Sequence, residues 1–351
     1  MNKIDYLQIP AVRKKYISYL EKKDSGLINL QTQWTNLRAR ILCKTKNRFL
    51  YPRRVKTLLL AEPEYLARIY FDFWNLFTDK DISIIKKSRR KSDEKVPDLM
   101  EKARAVFDYS KVSTEIAKFL MDYDEEYLHI STCFYCDSAY VNVIADENDQ
   151  NKLRMFDVDH YIPKAYCPLT SLSLFNFVPS CQICNSRIKH EGDLFSSYGF
   201  KRDDEKAVAV IAKLCPASRE YDYDNNVLIQ LVPKKSAEKY WRPSINFSDD
   251  PDKYTIDFLC KDRLYNKENE FLRYSDRYNH GTVFLEALNL LDLQKRYTKT
   301  NIHYIAKILR KKNGSFISEA QIEDDIFHTS FNREKRVINS KMKTDILNKT
   351  E

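Results

Sequence analysis

Residues 133–189 decide the fold. They read CFYC at 133–136, FDVDHYIPK at 156–164, FNF at 175–177 and PSCQICNSRIK at 179–189. Each Cys-x-x-Cys pair sets two thiolates on one tight knuckle, and two knuckles complete a tetrahedral four-cysteine zinc site. The ligands would be Cys133, Cys136, Cys181 and Cys184. Four reduced core cysteines are the plain alternative, but two pairs of identical spacing favour zinc. Between Cys136 and Cys181 lie 44 residues, against roughly 15–20 in a simple zinc ribbon. That insertion needs a purpose of its own.

Its contents suggest one. Asp159-His160 closes a strand-like run, and Cys184-Asn185 opens a helix. Folding the strands against that helix would bring Asp159 and Asn185 to one point, two oxygen donors suited to Mg2+ or Mn2+. His160 can take a proton from water, because its unperturbed pKa lies near neutrality. A metal there would stabilise charge on a phosphate, so the expected chemistry is phosphodiester hydrolysis. His190 could replace Asn185 as a ligand, and Asp157 shares a strand face with Asp159. Lys164 and Lys189 could touch phosphate, although a solvent-facing lysine is the default.

Outward from this stretch, 351 residues have room for two or three domains, and 43% hydrophobic content with 23 Tyr and 19 Phe marks a folded protein. No apolar run approaches the roughly 18–20 residues needed to span a bilayer, and the first residues lack a signal-peptide core. A soluble, cytoplasmic protein without membrane contact is expected. Cys43, Cys167, Cys215 and Cys260 are scattered and read as ordinary buried thiols. None of the five glycines lies between Gly26 and Gly192, which excludes a P-loop or dinucleotide-binding turn upstream of the second cysteine pair. Any NTP-driven step would come from another polypeptide.

Net charge is +9, yet residues 1–61 alone carry 14 Lys/Arg against 3 Asp/Glu. No acidic residue occurs from 25 to 61. Within it, RARILCKTKNRFLYPRRVK (38–56) interleaves Arg38, Arg40, Lys44, Lys46, Arg48, Arg53, Arg54 and Lys56 with Phe49 and Tyr51. The expected role is a phosphate-tracking surface with strongly salt-dependent affinity; a solvated helix face is the plainer alternative, and an acidic partner protein a third.

Helical spacing dominates elsewhere: 10–23, 27–44, 63–77, 97–109, 113–123 and most of the chain beyond 197. Residues 86–95 look like an exposed linker. AYVNVIA and LRMFDVD signal a hairpin with a long loop, followed by an irregular stretch holding Pro163, Pro168 and Pro179. The expected class is α+β, with helical flanks around a central zinc-stapled ββα-metal module. Its regions are 1–125 (basic, helical), 126–200 (the module) and 201–351 (mainly helical).

The DH pair, the mid-loop Asn176 and the helix Asn185 resemble the HNH (ββα-metal) endonuclease family. FDVDHYIP is similar to the HNH motif of CRISPR effector nucleases, which lacks the cysteines, and the CxxC…CxxC frame resembles the family's zinc-bearing branch. The likeness extends to the HNH subunits of Septu-like or retron-associated anti-phage systems, where the run continues through PSCxxCN. It implies that His160 is the general base, that Asp159 and Asn185 bind the catalytic metal, and that Asn176 braces the loop orienting the base. It also implies structural Zn2+, a DNA substrate with tRNA or other RNA as the alternative, and an ABC-type ATPase partner. A non-catalytic zinc-bearing nucleic-acid-binding or scaffold protein is the competing function.

Overall fold

A computed structural model describes residues 2–21, 26–87, 95–122, 129–145, 152–189, 205–234, 251–309, 311, 314–329 and 337–349. The chain is α+β, helix-rich with three two-stranded antiparallel sheets among these residues. His190 and most of the expected 86–95 linker lie outside them. No helix among the described residues is long and apolar enough to cross a membrane. Contacts divide the chain into two units: residues 2–130 with 141–222, and residues 131–140 with 223–351.

In the first unit, seven α-helices among the described residues precede the sheets: α1 Pro10–Glu21, α2 Gly26–Leu42, α3 Val55–Leu59, α4 Pro63–Trp74, α5 Asp79–Lys87, α6 Asp98–Val106 and α7 Ser113–Asp122. They form because apolar residues recur every three or four positions. α1 buries Val12, Tyr16, Ile17 and Leu20, and α2 buries Trp34, Leu37 and Ile41. Pro63 opens α4, where its missing N–H costs nothing. One buried carboxylate shapes the basic segment after α2. Asp72 accepts hydrogen bonds from Thr45 (2.8 Å), Asn47 (2.5 Å) and the Tyr51 hydroxyl (2.6 Å).

The expected hairpin forms between residues 143 and 154, but the strands after it differ from the sequence expectation. β1 Val143–Ala145 pairs with β2 Lys152–Arg154, but the run ending at His160 breaks at residues 155–156. Its second half, β3 Asp157–His160, pairs instead with β4 Phe177–Ser180, inside the stretch expected to be irregular. Register places Asp159 opposite Val178 and His160 opposite Phe177. All four β4 residues are buried, so no polar alternation announces the strand. Pro179 is tolerated because β4 has a single partner. A π-helical segment, Ile183–Lys189, follows, and α8 Glu205–Leu214 lies beyond it.

The second unit is built on a longer pair, β5 Val227–Pro233 with β6 Tyr254–Cys260. Around it stand α9 Arg263–Phe271, α10 Tyr274–Tyr278, α11 Gly281–Arg296, α12 Lys299–Ile308, α13 Glu319–Phe327 and α14 Ser340–Lys349. Leu290, Ile302, Ile322 and Phe327 form one core cluster. Residues 131–140 belong here. The Tyr278 hydroxyl donates to the Cys136 carbonyl at 2.7 Å, the Tyr274 hydroxyl donates to the Tyr135 carbonyl, and Thr132 donates to Asp137 at 2.7 Å.

Candidate functional site

β3 and β4 lie side by side, and the π-helical segment leans on β3 with matched spacing. Asn185 Nδ2 donates to Asp157 Oδ2 at 3.0 Å. One turn on, the Lys189 ammonium is ion-paired with Asp159 Oδ2 and donates to the His160 carbonyl at 2.6 Å. Positions two apart on a strand share a face, as do positions four apart on a helix, so two contacts form in step. The expected meeting is of Asp159 with Asn185; the side-chain hydrogen bond of Asn185 runs to Asp157, two residues earlier on the strand. Lys189 also departs from its expected surface position. It is 4% exposed and turned inward onto Asp159.

His160 is held on three sides. Its Nε2 lies 2.9 Å from the Ser171 carbonyl oxygen. A carbonyl can only accept, so Nε2 carries the hydrogen and Nδ1 keeps its lone pair. The ring meets Tyr109 edge-on at 4.6 Å and Phe177 at 5.4 Å between centroids. Burial, with the nearby Lys164 and Lys189 charges, lowers its pKa to about 3. The imidazole is neutral at physiological pH.

The loop carrying Ser171 is fixed from two directions. Ser171 Oγ donates to the Phe107 carbonyl at 2.6 Å. Asn176, fully buried, accepts from Ile162 N–H at 2.7 Å and donates to the carbonyls of Ile162 (3.0 Å) and Thr170 (3.1 Å). One carboxamide thus ties the end of β3 to the turn before Ser171.

No protein-family model, curated protein or solved structure matches this chain. The site stands on its own geometry.

Two of its residues left no trace in the sequence. Ser171 acts through its backbone, which any residue would supply. Tyr109 comes from a short 3-10 turn before α7 and is distant in sequence from the DH pair. Its ring packs on His160 and carries the Lys164 ammonium 4.3 Å from its centroid. Burial and the carboxylates of Asp157 and Asp159 push its hydroxyl up to about 12, against the opposing charge of Arg154. Lys164 is exposed, as expected.

Cys133, Cys136, Cys181 and Cys184 are buried, and their sulfurs all lie within 4.8 Å of one another, a four-cysteine group able to hold a metal ion such as zinc. A tetrahedron with Zn–S bonds near 2.3 Å requires sulfur separations of about 3.8 Å. The Cys184 N–H donates to Cys181 Sγ at 3.4 Å, the contact that orients and tunes a thiolate. Of the other four, Cys167 and Cys215 are buried as expected, Cys260 is half-buried and Cys43 is exposed.

The basic run is partly spent on structure. Arg38 Nε donates to the Tyr51 carbonyl at 2.6 Å, Arg40 faces Asp98 at 3.5 Å and Lys56 pairs with Glu21. The fold thus brings in acids that the linear run lacks. Lys44, Lys46, Arg48, Arg53 and Arg54 stay exposed, and the last four form no ion pair with a described residue. Phe49 is 79% exposed beside them, whereas Tyr51 is buried on Asp72.

Proposed function

We propose that this chain is a metal-dependent HNH-type endonuclease that hydrolyses phosphodiester bonds, with DNA the favoured substrate and RNA the alternative. One observation carries the reading. His160 is a neutral imidazole whose Nε2–H is engaged by the Ser171 carbonyl, which leaves Nδ1 as a base, and its backbone neighbour Asp159 sits in a cation-holding pocket.

The pocket suits a metal, because a cation already stands in it. The Lys189 ammonium marks where the Asp159 carboxylate and the His160 carbonyl converge, and hard oxygens are what Mg2+ or Mn2+ requires. Asp159 would hold that ion, joined by Asn185 once its carboxamide leaves Asp157. When bound, the metal supplies charge stabilisation for the phosphate and the leaving oxygen. The chain's own residues do the rest. Nδ1 of His160 accepts the proton of an attacking water, the resulting hydroxide bonds to phosphorus as the bond to the leaving oxygen breaks, and that oxygen takes the proton back from the imidazolium. An incoming phosphate next to the ring opposes the Lys164 and Lys189 charges and raises the base toward a useful pKa. Asn176 and Ser171 hold the ring in the working tautomer. The four cysteines hold structural Zn2+, and the exposed arginines and lysines of 44–54 track the backbone.

The resemblance to anti-phage HNH subunits supports a place as a defence effector working beside an ABC-type ATPase. The non-catalytic alternative has one observation in its favour, that Asp159 is already neutralised by Lys189. Incubation of plasmid DNA and of tRNA with the chain and Mg2+ or Mn2+, with and without such an ATPase, tests the choice. Cleavage should be lost in His160→Ala. Cleavage by that variant at the wild-type rate would refute the mechanism.

A further inference from the structure

Lys189 is the least expected residue of the site. A lysine carries its charge into the interior only when a partner compensates the lost hydration. Lys189 is 4% exposed, with its ammonium ion-paired to Asp159 Oδ2 and hydrogen-bonded to the His160 carbonyl at 2.6 Å. Asp159 is itself buried. These two acceptors are hard oxygens held on adjacent residues of one strand, and one cation satisfies both.

Two cations cannot share that position. At the few ångströms separating them, an ammonium and a divalent ion repel strongly in a poorly solvated site. A lysine, unlike a backbone group, can leave: its charge rides on a flexible four-carbon stem.

We infer that Lys189 is an internal counter-ion of Asp159 which a divalent cation must displace, so that metal entry turns the Lys189 ammonium out of the site. The inference rests on reading Asp159 as a metal ligand. It makes Lys189 a competitor for the site, not a ligand, and it makes metal affinity weaker than the oxygen donors alone would set.

Mn2+ titration of the 351-residue chain, followed by electron paramagnetic resonance of the free ion, tests it without any nucleic acid. Lys189→Met should bind Mn2+ at least about tenfold more tightly than wild type, since both the competing charge and the need to expel it are gone. Unchanged or weaker affinity in a Lys189→Met chain that still melts cooperatively would overturn the inference. Wild-type protein supplies a second measurement should that variant fail to fold. Amine labelling read by mass spectrometry should find Lys189 protected without metal and severalfold more reactive with Mn2+. Equal labelling in both states, with Mn2+ bound, also overturns it. Asp159→Asn separates the two levels. If that variant binds Mn2+ as wild type does, the reading of Asp159 as a ligand fails, and the displacement falls with it.

Discussion

The Ser171 carbonyl decides which nitrogen of His160 carries the hydrogen, and Asn176 holds the turn just before it through the Thr170 carbonyl. Replacing Asn176 with Ala orphans the Ile162 N–H and two carbonyls in a fully buried position. The expected loss is about 3 kcal/mol of stability, read as a lower denaturant midpoint, together with lost cleavage. His160 also ties stability to pH. Its folded pKa of about 3 lies below the ordinary 6.5, so between those values the unfolded chain binds more protons than the native one. This contribution is complete above pH 6.5 and is lost progressively as pH falls toward 3. Denaturant midpoints from about pH 7 to about pH 4 should therefore fall less steeply in His160→Gln than in wild type; parallel slopes would contradict the burial argument. At this scale the DH pair and both asparagines stood out in the sequence because the chemistry proposed for them is carried by side-chain type. Tyr109, Ser171 and the inward turn of Lys189 were not, since proximity and burial are properties of the fold.

Among the elements, amphipathic helices were easy to read and buried strands were not. α1, α2 and α4 announce themselves by one apolar face each. β4 hides, because FVPS is buried at all four positions and contains a proline. Missing it also hid the Asp157–Asn185 hydrogen bond, for the π-helical segment follows directly on β4 and its register with β3 sets Asp157 against Asn185. The basic run is a linear signal that the fold partly pairs with acids from elsewhere in the chain. Arg38, Arg40 and Lys56 have structural partners, so the proposed binding surface narrows to residues 44–54. Arg53→Glu with Arg54→Glu should weaken duplex binding and lower the slope of log affinity against log salt by about two, measured by fluorescence anisotropy. An unchanged slope would remove this surface from the interface.

For the whole molecule, the four-cysteine group offers the clearest handle. If it holds zinc, the chain carries one equivalent by elemental analysis, and a strong chelator lowers the melting temperature by several degrees. Cys133→Ser and Cys184→Ser should each mimic the chelator. The knuckle at 133–136 adds a constraint of a different kind. Asp137, with positive φ, accepts the Asn339 N–H on its backbone carbonyl at 2.6 Å, and its carboxylate takes Ser340 Oγ at 3.1 Å and Lys341 N–H at 3.3 Å. It thus caps α14 from 204 positions earlier in the chain. A chain emerging from the ribosome cannot complete that set of bonds until residue 341 has been made. Until then the first knuckle stands on bonds formed earlier, among them those between Asp137 N–H and the Cys133 carbonyl and between Cys133 N–H and the Ala139 carbonyl, so its tie to α14 is a late step in the protein's assembly.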